Sequence, residues 1–188
     1  MSADHGFSSG NAQSESLVLL KAWLRHAHPP AKDGLMGFVL DAVANIEWPE
    51  RHCPIGNDLN LSHPAELLMI LEVYCYAKGV YDSIDVELRA CQSSELGILF
   101  QDQPPPASVI RSFRRQHRDL IRMALQEVFD LALSVRFGIS DAVEAPADYC
   151  VIEAMDHWFE PMCGPNPGRE AEQRLEQASY WDGLAEAC

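Results

Sequence analysis

The chain has 188 residues, is 47% hydrophobic and 22% charged, and carries a formal net charge of −14 at pH 7. That composition can bury a core and excludes a disordered chain, while no run approaches the roughly 18 apolar residues of a membrane span. The acidic balance argues against a uniformly nucleic-acid-binding surface, and the polar start, with its apolar run Leu17 to Leu20 broken at Lys21, is too short for a secretory signal and predicts a cytoplasmic protein.

In chain order, Ser16 to His26 has leucines and Trp23 at helical spacing and ends before Pro29-Pro30. Gly34 to Ile46 reads as a second short amphipathic helix, closed by Trp48-Pro49, and 49–62 as a loop rich in Pro, Gly, Asn and Asp. Pro64 opens a strong helix to Lys78, since proline at the first helical position loses no hydrogen bond and Glu66 meets the positive end of the helix dipole. Its residues Leu67 to Ala77 are apolar nearly all round, which predicts burial on several sides, and Gly79 is its natural stop. Asp82-Ser83 caps a helix over about 84–92, Ser93-Ser94 restarts a short one to Phe100, and 101–106 is a loop because Pro104-Pro105-Pro106 cannot be helix interior.

One long helix is predicted from about Ala107 to Val135, with Ile110, Phe113, His117, Leu120, Ile121, Ala124, Val128, Leu131 and Val135 at three- and four-residue steps. His117 lies on this apolar arc and reads as a packed histidine. Two more helices follow, roughly Pro146 to Phe159 and Arg169 to Ala185, separated by a turn over 164–168. The second has Ala171, Leu175, Ala178, Trp181 and Leu184 as its apolar seam. The fold class is therefore all-α, and the chain divides into an N-terminal arm and helix over 1–33, a helical domain over 34–137 and an acidic helical extension over 138–188 that packs on it.

The six cysteines, at 53, 75, 91, 150, 163 and 188, form no CxxC pair. Cys75 and Cys91 fall in apolar helical patterns, where cysteine acts as a small hydrophobe, and Cys150, His157 and Cys163 fit no standard structural zinc spacing. No Gly-rich phosphate loop, HExxH or GxSxG occurs, so no enzyme, metal or cofactor is expected. Tyr74, Tyr76 and Tyr81 read as core and turn packing.

Charge is unevenly spread. Residues 107–137 hold six basic and three acidic side chains, whereas 138–188 hold two basic and eleven acidic ones. With Arg111 set at 0°, the long helix places Arg111, Arg114, Arg115, Arg118 and Arg122 at about 0°, 300°, 40°, 340° and 20°. All five share an arc of about 100° beside the apolar seam, in the first half of a helix that follows a loop. Guanidinium groups suit phosphate contacts and guanine readout, and recognition helices commonly use their N-terminal turns. The competing reading is a charged face that is solvated or covered by the acidic C-terminal helices.

His63-Pro64, Leu67-Leu68, Leu71 and Gly79-Val80-Tyr81-Asp82-Ser83, followed by Ile110, Phe113-Arg114-Arg115 and His117 with Leu120, Val128 and Leu131 continuing, resemble the N-terminal helical domain of DDE-type insertion-sequence transposases. The resemblance covers roughly 34–135, with Phe38 to Ile46 similar to the short helix preceding that domain. It implies a helix-turn-helix-like unit whose Arg111–Arg122 face approaches double-stranded DNA. Pro106, Ala107, Ser108 and Val109 stand where the family usually has an acidic cap, an arginine and a threonine, so the helix cap and one basic contact are missing. The acidic segment Asp141 to Cys188 occupies the place of the family's catalytic domain, so transposition chemistry is not expected. Two functions follow as expectations. One is a non-catalytic, domesticated, transposase-derived DNA-binding or regulatory protein. The other is an acidic helical module that no longer meets DNA and engages a protein partner through its C-terminal helices.

Overall fold

The computed structural model describes residues 35–48, 63–100, 103–137 and 166–187. All of these belong to one compact unit, Asp33–Cys188. The helix expected over 16–26, the loop over 49–62, the helix over 146–159 and Cys53, Cys150, Cys163 and Cys188 lie outside the described residues.

Six helices and no strand occur among the described residues: α1 (Leu35–Asn45), α2 (Ala65–Ala77), α3 (Ser83–Gln92), α4 (Ser94–Phe100), α5 (Ala107–Phe137) and α6 (Pro167–Ala187). The protein is all-α, as the periodicity predicts. Helix α5 is the hub, packing against α1, α2, α3 and α6. Helix α2 is buried from Leu68 to Ala77, which follows from its lack of a polar face. No helix among the described residues is long and apolar enough to cross a membrane.

Local chemistry sets the ends. Gly79 adopts φ 75, a left-handed conformation that costs glycine little. This lets Gly79 N–H donate to the Tyr76 carbonyl (3.1 Å) and Val80 N–H to the Cys75 carbonyl (2.9 Å), the paired bonds of a Schellman stop. Asp82 caps α3, its carboxylate accepting from Ile84 N–H at 2.8 Å. The cap missing from the start of α5 comes from another helix, because Ala107 N–H donates to the Glu87 carboxylate of α3 at 2.8 Å. His63 Nε2–H donates to the Gln103 carbonyl at 2.7 Å, tying the approach to α2 to the approach to α5.

Four expectations need correction. The turn expected over 164–168 ends sooner, because Asn166 accepts from Arg169 N–H (3.0 Å) and Pro167 takes the first helical position. Helix α5 is not continuous: His117 leaves helical geometry (φ −120, ψ 22) and kinks it, although 107–137 contain neither proline nor glycine. The α6 seam is only half buried, with Ala171, Leu175 and Ala178 in the core but Trp181 and Leu184 exposed. Cys75 is buried, yet Cys91 is exposed.

Candidate functional site

The five candidate arginines of α5 do not form one solvent-facing arc. Arg114, nearest the apolar seam, is 2% exposed and lies in the core. Burying a guanidinium is strongly unfavourable unless its donors are used and its charge is matched. Both conditions are met. Nε donates to the Tyr76 hydroxyl, Nη1 to the Ala178 carbonyl (2.8 Å) and to Asp182 Oδ2 (2.6 Å), and Nη2 to the Tyr81 carbonyl (3.1 Å) and Ser83 Oγ (3.4 Å). Its position removes Arg114 from any surface contact in this conformation.

The same cluster holds Glu72, fully buried on α2. The Tyr76 hydroxyl donates to Glu72 Oε2 at 2.9 Å, and Arg114 Nε lies 3.8 Å from that oxygen. Glu72 Oε1 is buried without a hydrogen-bond partner. Burial pushes the carboxyl up to about 8, against the opposing pull of Arg114 and the Tyr76 hydroxyl. Asp182 makes the closer ion pair with Arg114 and, as a second carboxylate nearby, adds a smaller upward push to that of burial. Burial likewise pushes the Cys75 thiol up to about 12, leaving it a packing group.

Arg118 and Arg122 turn toward α6. Arg118 Nη2 meets Glu172 Oε1 at 2.6 Å and its Nη1 donates to Ser179 Oγ at 3.0 Å, while Arg122 Nε lies 3.8 Å from Glu172 Oε2. Both arginines are about one-third exposed, so these pairs contribute about 0–1 kcal/mol each and act mainly to set register. Arg115 is exposed, with its Nε donating to the Arg111 carbonyl at 3.4 Å, and Arg111 is half-buried. Three of the five candidates, Arg114, Arg118 and Arg122, thus meet α6.

Helix α6 answers with an arginine of its own. Arg174 is 2% exposed, pairs with Glu170 (2.7 Å) one turn earlier, and donates through Nη1 to the carbonyls of Tyr76 and Ala77, each at 2.8 Å. A cation here meets the negative end of the α2 dipole, and its guanidinium also lies over the Phe129 ring at 4.9 Å. Glu72, Asp182, Glu170 and Arg174 were not among the residues singled out in the sequence. The available signal was their place on buried stripes: Glu72 among the apolar residues of α2, and Glu170 and Arg174 beside Ala171, Leu175 and Ala178.

A cleft of about 410 Å³ opens between α3 and α6. Asp82, Asp85, Leu88 and Arg89 on the α3 side and Gln177 and Trp181 of α6 are among the residues that line it. No group of histidine, cysteine or acidic side chains among the described residues is arranged to hold a metal ion. No known family model matches the chain, and neither a curated protein nor a solved structure matches it.

Proposed function

We propose that this chain is a non-catalytic helical module that binds protein, on a scaffold resembling a transposase N-terminal domain. One observation carries the reading: the arginine face of α5 serves as an interface inside the molecule. Arg114 is consumed by Asp182 and the surrounding carbonyls, and Arg118 and Arg122 are matched by Glu172. DNA contact through Arg114 would require α6 to leave, exposing Ala171, Leu175 and Ala178, all fully buried. The net charge of −14 opposes a polyanion further.

Titration of the full chain with duplex DNA tests this reading. Five phosphate contacts would give a log–log salt slope of about −4.5, roughly a 500-fold loss of affinity between 50 and 200 mM salt. The expected result is no saturable binding at the lower salt. Binding with that slope, abolished by Arg111→Ala with Arg115→Ala and Arg118→Ala, would restore the DNA-binding function and remove this one.

A further inference from the structure

Six large hydrophobic side chains are exposed among the described residues, and five of them stand on just two helices: Ile84 and Leu88 on α3, and Tyr180, Trp181 and Leu184 on α6. Leu88 is 49% exposed and Trp181 41%, and both line the cleft between those helices. On α3 the apolar residues Ile84, Leu88 and Cys91 recur at helical steps on the side away from buried Val86 and Ala90. Helix α3 therefore has two apolar faces, and the fold uses one. On α6 the buried seam ends at Ala178, and apolar character continues outward through Tyr180, Trp181 and Leu184. The two helices are fixed to each other next to this surface, because Ser83 Oγ donates to Asp182 Oδ1 at 2.5 Å and Asp182 also holds Arg114. The groove walls are thus preset rather than assembled on binding. Apolar side chains gathered in a concave, polar-rimmed surface are characteristic of interaction sites, whereas scattered single ones are ordinary.

The charge on the groove narrows its occupant. Asp82 and Asp85 set two carboxylates against the single guanidinium of Arg89 in its lining, and the chain as a whole is strongly acidic. An anionic lipid surface or a nucleic acid would be repelled, and a second copy of the chain would bring an equal net charge of −14 against the first. A cleft between two helices, with one exposed apolar side chain on each wall, Leu88 and Trp181, suits an amphipathic helix laid in a groove.

We propose that the α3–α6 groove docks an amphipathic, basic helix of a partner protein. The partner's apolar residues seat between Leu88 and Trp181, and its lysines or arginines meet Asp82 and Asp85. This rests on the protein-binding reading above and gives it a site and a partner chemistry.

The test titrates the full-length chain into three labelled synthetic peptides, each about four helical turns long, followed by fluorescence anisotropy. One carries leucine at helical spacing with lysine elsewhere, the second keeps the leucines with glutamate elsewhere, and the third keeps the lysines with glutamine in place of leucine. The leucine–lysine peptide is expected to bind at least about tenfold more tightly than either other peptide. Trp181→Ala and Leu88→Gln, both at exposed positions, are each expected to weaken that binding about tenfold or more without lowering Tm. Asp85→Asn is expected to weaken it about two- to threefold and to reduce its salt dependence. Equal binding of the lysine–glutamine peptide would overturn the proposal, since charge alone would then suffice. Undiminished binding to both apolar variants would also overturn it, by placing the peptide elsewhere. A concentration-dependent dimer abolished by Trp181→Ala would assign the groove to a second copy instead. The DNA titration separates the two levels: salt-dependent DNA binding removes the protein-binding reading, whereas silence toward DNA with no discrimination among peptides removes only the groove assignment.

Discussion

Glu72 shows how one buried carboxyl couples stability to pH. Its side chain sits at 0% exposure with Oε2 hydrogen-bonded to Tyr76 and Oε1 unpaired, so ionisation would place a charge in a desolvated site where Arg114 and the Tyr76 hydroxyl offset only part of the cost. Asp182 already matches Arg114 at 2.6 Å, and burial therefore prevails, moving the group from 4.5 up to about 8. Between those values the unfolded chain releases the Glu72 proton while the folded chain retains it. The stabilising contribution of this carboxyl is fully present below 4.5 and is lost as pH rises toward about 8. Glu72→Gln cannot titrate and retains an oxygen to accept from Tyr76. The variant is expected to show a shallower decline of unfolding free energy between pH 5 and 8 than the parent. The difference in slope is bounded by about 1.4 kcal/mol per pH unit. Parallel chemical-denaturation curves across that range would check it, and identical slopes would show that Glu72 is ionised throughout.

At the scale of elements, the backbone stop after α2 gives the next prediction. Gly79 holds φ 75 and directs two N–H groups onto the last carbonyls of the helix. Gly79→Ala keeps those bonds only by forcing a Cβ into left-handed geometry, at a cost of about 1–2 kcal/mol. A fall in denaturation midpoint of that size with unchanged m-value is expected, and no change would mean that the turn tolerates a Cβ. This stop, the Asp82 cap and the all-round apolar α2 were legible in the sequence because each depends on neighbours within a turn or two. The kink at His117 was not, since no local breaker marks it. The course of α5 beyond the kink was visible only in part. On the wheel that groups the arginines, Leu125, Phe129 and Leu133 fall at about 320°, 0° and 40°, and all three are buried. The arginine arc thus runs on into an apolar stripe, which must meet another element. Counting charges alone conceals that continuation, and with it the seat of α6.

Across the whole molecule, α6 and the rest of the fold are joined by two reciprocal arginines. Arg114 reaches from α5 to the Ala178 carbonyl and Asp182 of α6, while Arg174 reaches from α6 to the Tyr76 and Ala77 carbonyls at the end of α2. The helices run antiparallel: a Cβ on Gly168 would meet Gln126 at 3.0 Å, Glu172 meets Arg118 and Arg122, and Asp182 meets Arg114. Along the same face of α6, Ala171, Leu175 and Ala178 are fully buried. Detaching α6 would take Asp182 from the buried Arg114, leave the Tyr76 and Ala77 carbonyls without Arg174, and expose this seam together, and removing one member of a buried ion pair alone costs about 3–5 kcal/mol. Local opening of α6 is therefore nearly as unfavourable as global unfolding, despite its position at the far end of the sequence. Native-state hydrogen exchange should show the amides of Arg174 to Ala178 exchanging through the same global event as those of Ile70 to Tyr74 in α2. Their apparent opening free energies should fall together as denaturant is added. Amides of Arg174 to Ala178 that exchange several kcal/mol earlier would instead make α6 a detachable strap, and the arginine face beneath it would then be reachable by an outside partner.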